Sequence, residues 1–145
     1  MNKNLIVLLP DGGAYKWGVK LMDKLGFSGT VLACAKNRKF VNGKSVLTQQ
    51  LPDYDFQGKD ILIIDDINIY GSTFKGLSKL LKERNCGKLY LAVSHMTVQH
   101  LGKNPVTDYF DIVYTTNSKY NKYWTGCIYD SDSYTPKNLE IIKLF

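Results

Sequence analysis

The run Ile61-Leu62-Ile63-Ile64 constrains this chain more than any other stretch. Its four residues are apolar and mostly β-branched. They are too few for an ordinary helix and lack the alternation of a strand with one wet face. Such a run is expected of a central strand in a parallel sheet covered on both sides. Beyond Ile64 the chain turns polar: Asp65-Asp66, four more residues, then Gly71-Ser72-Thr73. From Thr73 to Arg84 an amphipathic helix is expected, with Phe74, Leu77, Leu80 and Leu81 on one face and lysines on the other. Ligands of open α/β sheets lie at the carboxyl ends of strands. A helix N-terminus there offers unpaired N–H groups and a partial positive charge, which suit a phosphate. Gly71 lets the backbone approach an anion, and Ser72 and Thr73 add hydroxyls and a helix cap. Asp65 and Asp66 would repel a phosphate, so sugar hydroxyls or a hydrated magnesium ion are their expected partners. A sugar phosphate satisfies both halves of the loop. The competing reading is a plain strand-to-helix turn with solvated carboxylates.

A second unit of the same kind opens the chain. Leu5 to Leu9 is a short apolar run ending in Pro10-Asp11-Gly12-Gly13, and Trp17, Leu21 and Leu25 keep helical spacing through Ala14 to Leu25. Gly12 and Gly13 permit positive φ and a nest of N–H groups that cradles an anion, with Asp11 beside it for magnesium. The alternative is a Pro-Asp-Gly-Gly turn without a ligand. Thr30 to Ala35 is the next strand expected. From Lys36 to Gly58 the chain is polar and poorly periodic, and a loop of that length in a compact domain is usually functional or disordered; the alternative is a solvated basic stretch around a β-hairpin.

These three stretches, in this order, carry a resemblance. The Asp65–Thr73 segment resembles the ribose-phosphate-binding signature of the type I phosphoribosyltransferase superfamily. The Pro10–Gly13 loop is similar to the pyrophosphate loop in the carboxyl-terminal half of the ribose-phosphate pyrophosphokinases. Lys36 and Arg38 fit the Lys-x-Arg opening of that family's flexible catalytic loop, and Thr116-Asn117-Ser118 resembles its Thr-Asn-Ser segment. The resemblance spans roughly residues 5 to 118. It implies a single α/β domain over 1–145 with a mainly parallel sheet flanked by helices, a flexible loop at about 36–58 and a divergent segment at about 119–145. It further implies magnesium at Asp11 and ribose 5-phosphate or phosphoribosyl pyrophosphate on Gly12, Gly13, Asp65, Asp66, Tyr70, Gly71, Ser72 and Thr73. Lys36 and Arg38 would stabilise the transferring phosphates. Two departures stand out: Ile69 and Tyr70 occupy positions where the family has an acid and a threonine. The half that grips ATP has no counterpart here, so a separate partner subunit is expected to supply it; a homo-oligomer is the other assembly the resemblance implies.

Three activities remain open. The first is pyrophosphoryl transfer from ATP to ribose 5-phosphate, the second a small phosphoribosyltransferase joining phosphoribosyl pyrophosphate to a nucleobase, the third a non-catalytic regulatory subunit. The remaining sequence bounds these. At 145 residues, 44% hydrophobic and 22% charged, the chain has the composition of one soluble domain with a real core. No apolar run reaches membrane-spanning length, and the start does not read as a signal peptide. Cys34, Cys86 and Cys127 lack metal-type spacing and fit a reducing cytoplasm. The net charge of +6 comes from scattered lysines, which favours a phosphorylated small molecule over a specific nucleic acid. Further strands are expected at Lys88–Ser94, Asp111–Tyr114 and, at the edge, Leu139–Leu144, with a short helix at Pro105–Phe110 and a glycine cap at Asn85-Cys86-Gly87. His95 and His100 read as loop or core-edge histidines. The aromatic Tyr120–Tyr134 segment, with Tyr123-Trp124, is a candidate lid or subunit contact.

Overall fold

The computed structural model describes residues 4–97, 104–119 and 136–144. Its strands are Leu5–Leu9 (β1), Thr30–Ala33 (β2), Ala35–Val41 (β3), Lys44–Gln50 (β4), Asp60–Asn68 (β5), Leu89–Met96 (β6), Ile112–Thr116 (β7) and Leu139–Ile142 (β8). Six of them form one parallel sheet in the order β2-β1-β5-β6-β7-β8. Helix α1 (Gly12–Lys24) follows β1, and α2 (Ser72–Glu83) follows β5. The strand run that organises the sequence is central: β5 pairs in parallel with β1 on one side and β6 on the other.

Alternation along the strands divides the core. Ile6, Leu8, Ile61, Ile63, Leu89 and Leu91 pack with Phe74, Leu77 and Leu81 of α2. Val7, Leu9 and Ile64 pack with Ala14 and Met22 of α1. Two covered faces explain why the strands read as unbroken apolar runs. Helix α1 lies close on β1 because Gly18 has no side chain; a Cβ there would stand 2.6 Å from the Leu9 side chain.

Several expectations are corrected. Strand β5 does not stop at Ile64 but runs through Asp65 and Asp66 to Asn68, held by β6. Strand β2 ends at Ala33. The stretch expected to be an aperiodic loop forms an antiparallel hairpin of β3 with β4. Its turn is Asn42-Gly43, with φ of 51° and 73°, and Val41 pairs with Lys44. Asn-Gly between two strand-forming segments is a strong hairpin signal. Helix α2 closes on Asn85, at φ 54°, rather than on a glycine. Cys86 N–H reaches Leu81 O and Asn85 N–H reaches Lys82 O, the Schellman pattern, which asparagine tolerates. Residues Val106–Tyr109 form a single 3-10 turn. His100 and the Tyr120–Tyr134 segment lie outside the described residues.

Candidate functional site

The two strand–loop–helix units meet at a topological switch point. Strands β1 and β5 are parallel neighbours, yet β1 leads through α1 outward to β2, while β5 leads through α2 the other way to β6. Their helices therefore leave on opposite faces, and a crevice opens between the two loops where such sheets hold ligands.

The two helix N-termini differ. Asp11 is the N-cap of α1, and its Oδ1 accepts the Ala14 N–H at 2.9 Å. Its Oδ2 lies 3.4 Å from the Lys36 ammonium on β3. That backbone hydrogen bond, joined by Lys36, holds the Asp11 carboxyl below its usual range against the opposing effect of burial. Gly12 and Gly13 are the first two residues of α1, and neither has positive φ, so the expected left-handed nest is not formed. By contrast, the N-cap of α2 is Gly71, left-handed at φ 68°, with no side-chain cap hydrogen bond among the described residues. Ser72 and Thr73 are the first helical residues rather than caps. The first turn holds no acidic residue, so the positive end of the helix is not neutralised there.

Gly71 is required twice over. Its φ is left-handed, and a Cβ would stand 3.2 Å from that of Val106. Beside it a small hollow of about 190 Å³ is lined by Ser72, Thr73, Gly76 and Leu80 of α2 and by Gln49 of β4. Gln49 also donates to Pro10 O at 3.2 Å, so one side chain ties the first loop to the hollow beside the second. Sequence reasoning missed Gln49. The Asn42-Gly43 turn was the signal that places it, because it fixes the hairpin register.

The carboxylates sit in the crevice. Burial pushes the Asp65 carboxyl up from its ordinary 3.8 to about 6; the Asp66 N–H, bonded to Asp65 Oδ1 at 2.9 Å, opposes this, and the charges of Asp66 and Asp11 add to the rise. Asp66 is exposed. The structure thus brings together Asp11 and Lys36 by contact, and Asp65, Asp66 and Asp11 by field. Arg38 lies exposed on β3 and makes no ion pair among the described residues. Tyr70 is 71% exposed on the loop, and Ile69 beside it is also exposed. At the far end of β5, Asn68 is fully buried, and among the described residues neither of its side-chain polar atoms has a partner.

Beneath Asp65 a larger cavity of about 420 Å³ runs along the α1 face of the sheet, walled by Trp17, Leu21, Leu62, Ile64 and Tyr114. It is almost wholly apolar, and its walls offer little to a phosphate. Among the described residues no helix is long and apolar enough to cross a membrane.

The architecture defines a type I phosphoribosyltransferase fold. The phosphoribosylpyrophosphate synthetase of Mycobacterium smegmatis matches with a TM-score of 0.64 at 19% identity, covering 98% of this chain and 41% of that one. The purine phosphoribosyltransferase of Pyrococcus horikoshii matches at 0.52 and 15% identity, over 97% of this chain and 76% of that one. Within this class, the sequence is similar to curated ribose-phosphate pyrophosphokinases. It is 26% identical to that of Thermoplasma volcanium over 127 residues, which cover 85% of this chain and 41% of the relative's length. No family model matches the chain.

Proposed function

We propose that this chain binds a phosphorylated pentose, ribose 5-phosphate or phosphoribosyl pyrophosphate, in the crevice between β1 and β5. Together with a second chain or a further domain it would transfer a pyrophosphoryl group from ATP to ribose 5-phosphate. The observation that carries the reading is the N-terminus of α2 behind left-handed Gly71, with no side-chain cap on Gly71, shortly after a strand that carries two adjacent carboxylates, Asp65 and Asp66, near its carboxyl end. The N–H groups of Gly71, Ser72 and Thr73 and the two hydroxyls bind the 5-phosphate, with the helix dipole adding attraction. Asp65 and Asp66 accept hydrogen bonds from ribose hydroxyls. Tyr70, on the loop's outer side, shields the bound sugar from water.

Asp11, Gly12 and Gly13 face the diphosphate end. Magnesium fits there by its donor chemistry: Asp11 Oδ2 is a hard oxygen that already attracts a cation, the Lys36 ammonium. Asp11 and the ligand's own phosphate oxygens would hold the ion, and its chemistry is neutralisation of phosphate charge. Lys36 must then leave Asp11, which frees it for the transferring phosphates, with Arg38 two residues along the same strand. In the transfer, the C1 hydroxyl oxygen bonds to the β-phosphorus of ATP, the bond from that phosphorus to the AMP oxygen breaks, and the hydroxyl proton is lost to solvent. Lys36 and Arg38 stabilise the negative charge on the moving group.

Calorimetry with ribose 5-phosphate and with phosphoribosyl pyrophosphate tests the binding reading, and failure of both to bind refutes it. Product analysis separates the activities. Phosphoribosyl pyrophosphate formed from ATP and ribose 5-phosphate supports the kinase reading, and nucleotide formed from phosphoribosyl pyrophosphate and a base supports a phosphoribosyltransferase. Binding without turnover identifies a regulatory subunit.

A further inference from the structure

Among the described residues, the hairpin of β3 and β4 is a sheet of its own, paired with none of the six strands of the main sheet. A lone two-stranded hairpin is at best marginally stable in water, so this one depends on what it rests against. Lys36 and Gln49 are directly opposite each other in its register, on the second rung from its open end. Side chains opposite one another in an antiparallel pair stand on the same face, about 4.5–5.5 Å apart at Cβ. Both reach the first loop, at consecutive residues. Lys36 Nζ is 3.4 Å from Asp11 Oδ2, and Gln49 Nε2 donates to Pro10 O at 3.2 Å. One rung therefore grips one loop at two points.

The two points differ in kind. The Lys36–Asp11 pair is exposed, with 41% and 31% of the two side chains accessible, and pairs of this sort contribute little. A cation that takes Asp11 also displaces it. The Gln49 bond is part-buried and uncharged, so neither salt nor a cation at Asp11 competes with it. Its orientation is fixed as well: a carbonyl only accepts, so the amide nitrogen must be the end at Pro10. The amide oxygen faces α2, where a Cβ on Gly76 would stand 4.0 Å from it. Gln49 is thus seated between the first loop and α2, and it keeps that seat when Asp11 exchanges Lys36 for magnesium. Arg38 is two residues beyond Lys36 on β3 and so on the same face of the hairpin, about 7 Å further along. Holding the rung at Gln49 sets the reach of both cations.

We propose that Gln49 is the positioning residue for Lys36 and Arg38. Its bond to Pro10 O is the pivot that keeps the hairpin at the first loop while Lys36 is free of Asp11. The anchoring follows from the contacts of the hairpin alone; its part in the transfer rests on the reading of the crevice as a site of pyrophosphoryl transfer.

Gln49→Met keeps the length of the side chain and removes the donor, while Lys36→Ala reproduces the state in which Lys36 has left Asp11. Hydrogen exchange of the β3 and β4 amides, read by mass spectrometry, tests the anchor, with the β5 and β6 amides as the control for global opening. Hairpin exchange should be about two- to tenfold faster in Gln49→Met, the effect of one neutral hydrogen bond, with the control strands unchanged. Lys36→Ala should have the smaller effect. Unchanged hairpin exchange in Gln49→Met, equal acceleration in the control strands, or a larger effect in Lys36→Ala would each overturn the proposal. Single-turnover kinetics and calorimetry test the positioning. Gln49→Met should bind ribose 5-phosphate within about twofold of wild type and transfer about tenfold more slowly or worse. Equal losses in rate and affinity would reduce Gln49 to a structural tie and overturn its positioning role. A wild type without turnover would refute the transfer reading, while the exchange measurements still decide the anchor.

Discussion

Replacing Asp65 by Asn should make the protein more stable at neutral pH and a poorer binder, and the two effects have one cause. The carboxyl is raised from 3.8 to about 6, chiefly by burial. At about 1.4 kcal/mol per pKa unit, that rise corresponds to about 3 kcal/mol of disfavoured charge. Asp65 retains contact with solvent, and screening reduces the figure to about 1–2 kcal/mol. The folded state holds this proton more tightly than the unfolded chain does. Stability therefore falls as pH rises from about 4 to about 6, and the cost is complete above that window. Asparagine carries no charge, and its Oδ1 can still accept the Asp66 N–H that Asp65 accepts at 2.9 Å. Urea denaturation should show Asp65→Asn about 1–2 kcal/mol more stable than wild type near pH 7.5 and equal to it near pH 3.5. A gap that is the same at both pH values, or an Asn variant that is less stable near pH 7.5, would refute the electrostatic account. The same variant should bind ribose 5-phosphate more weakly by about 1.5–3 kcal/mol, the worth of a charge-assisted hydrogen bond. Adding Asp66→Asn should deepen that loss.

Gly71→Ala should cost about 1–2 kcal/mol in stability, because a Cβ strains the left-handed backbone and would stand 3.2 Å from that of Val106; an unchanged denaturation midpoint would contradict the N-cap geometry. Lys36→Ala removes an exposed ion pair worth about 0–1 kcal/mol, so Tm should hold while single-turnover rates fall far more than affinity does. Equal losses in rate and binding would assign Lys36 a plain binding role. Chelation of magnesium should weaken phosphoribosyl pyrophosphate more than ribose 5-phosphate, since only the former brings a diphosphate to Asp11; calorimetry with and without EDTA decides it.

The parallel sheet, the central place of β5 and the strand–loop–helix units were legible in the sequence because each rests on local pattern. The Ile61–Ile64 run needs two covered faces, and the spacing of Phe74, Leu77 and Leu81 needs a helix. The hairpin was legible too, in Asn42-Gly43, but the polar composition around it outweighed a two-residue signal. What no local pattern carries is which groups meet across the fold. Gly12-Gly13 and Gly71-Ser72-Thr73 look alike as glycine-rich turns. The structure distinguishes them: Asp11 folds back on the first helix through a contact three residues long, while Gly71 leaves the second without a side-chain cap. The pairing of Lys36 with Asp11, the reach of Gln49 to Pro10 and the contact of Ser118 with His95 join residues 23 to 39 positions apart. Such contacts exist only after parallel strands bring their carboxyl ends to one edge. Periodicity and turn chemistry within the chain determine each element; the site belongs to the sheet order that sets the elements side by side.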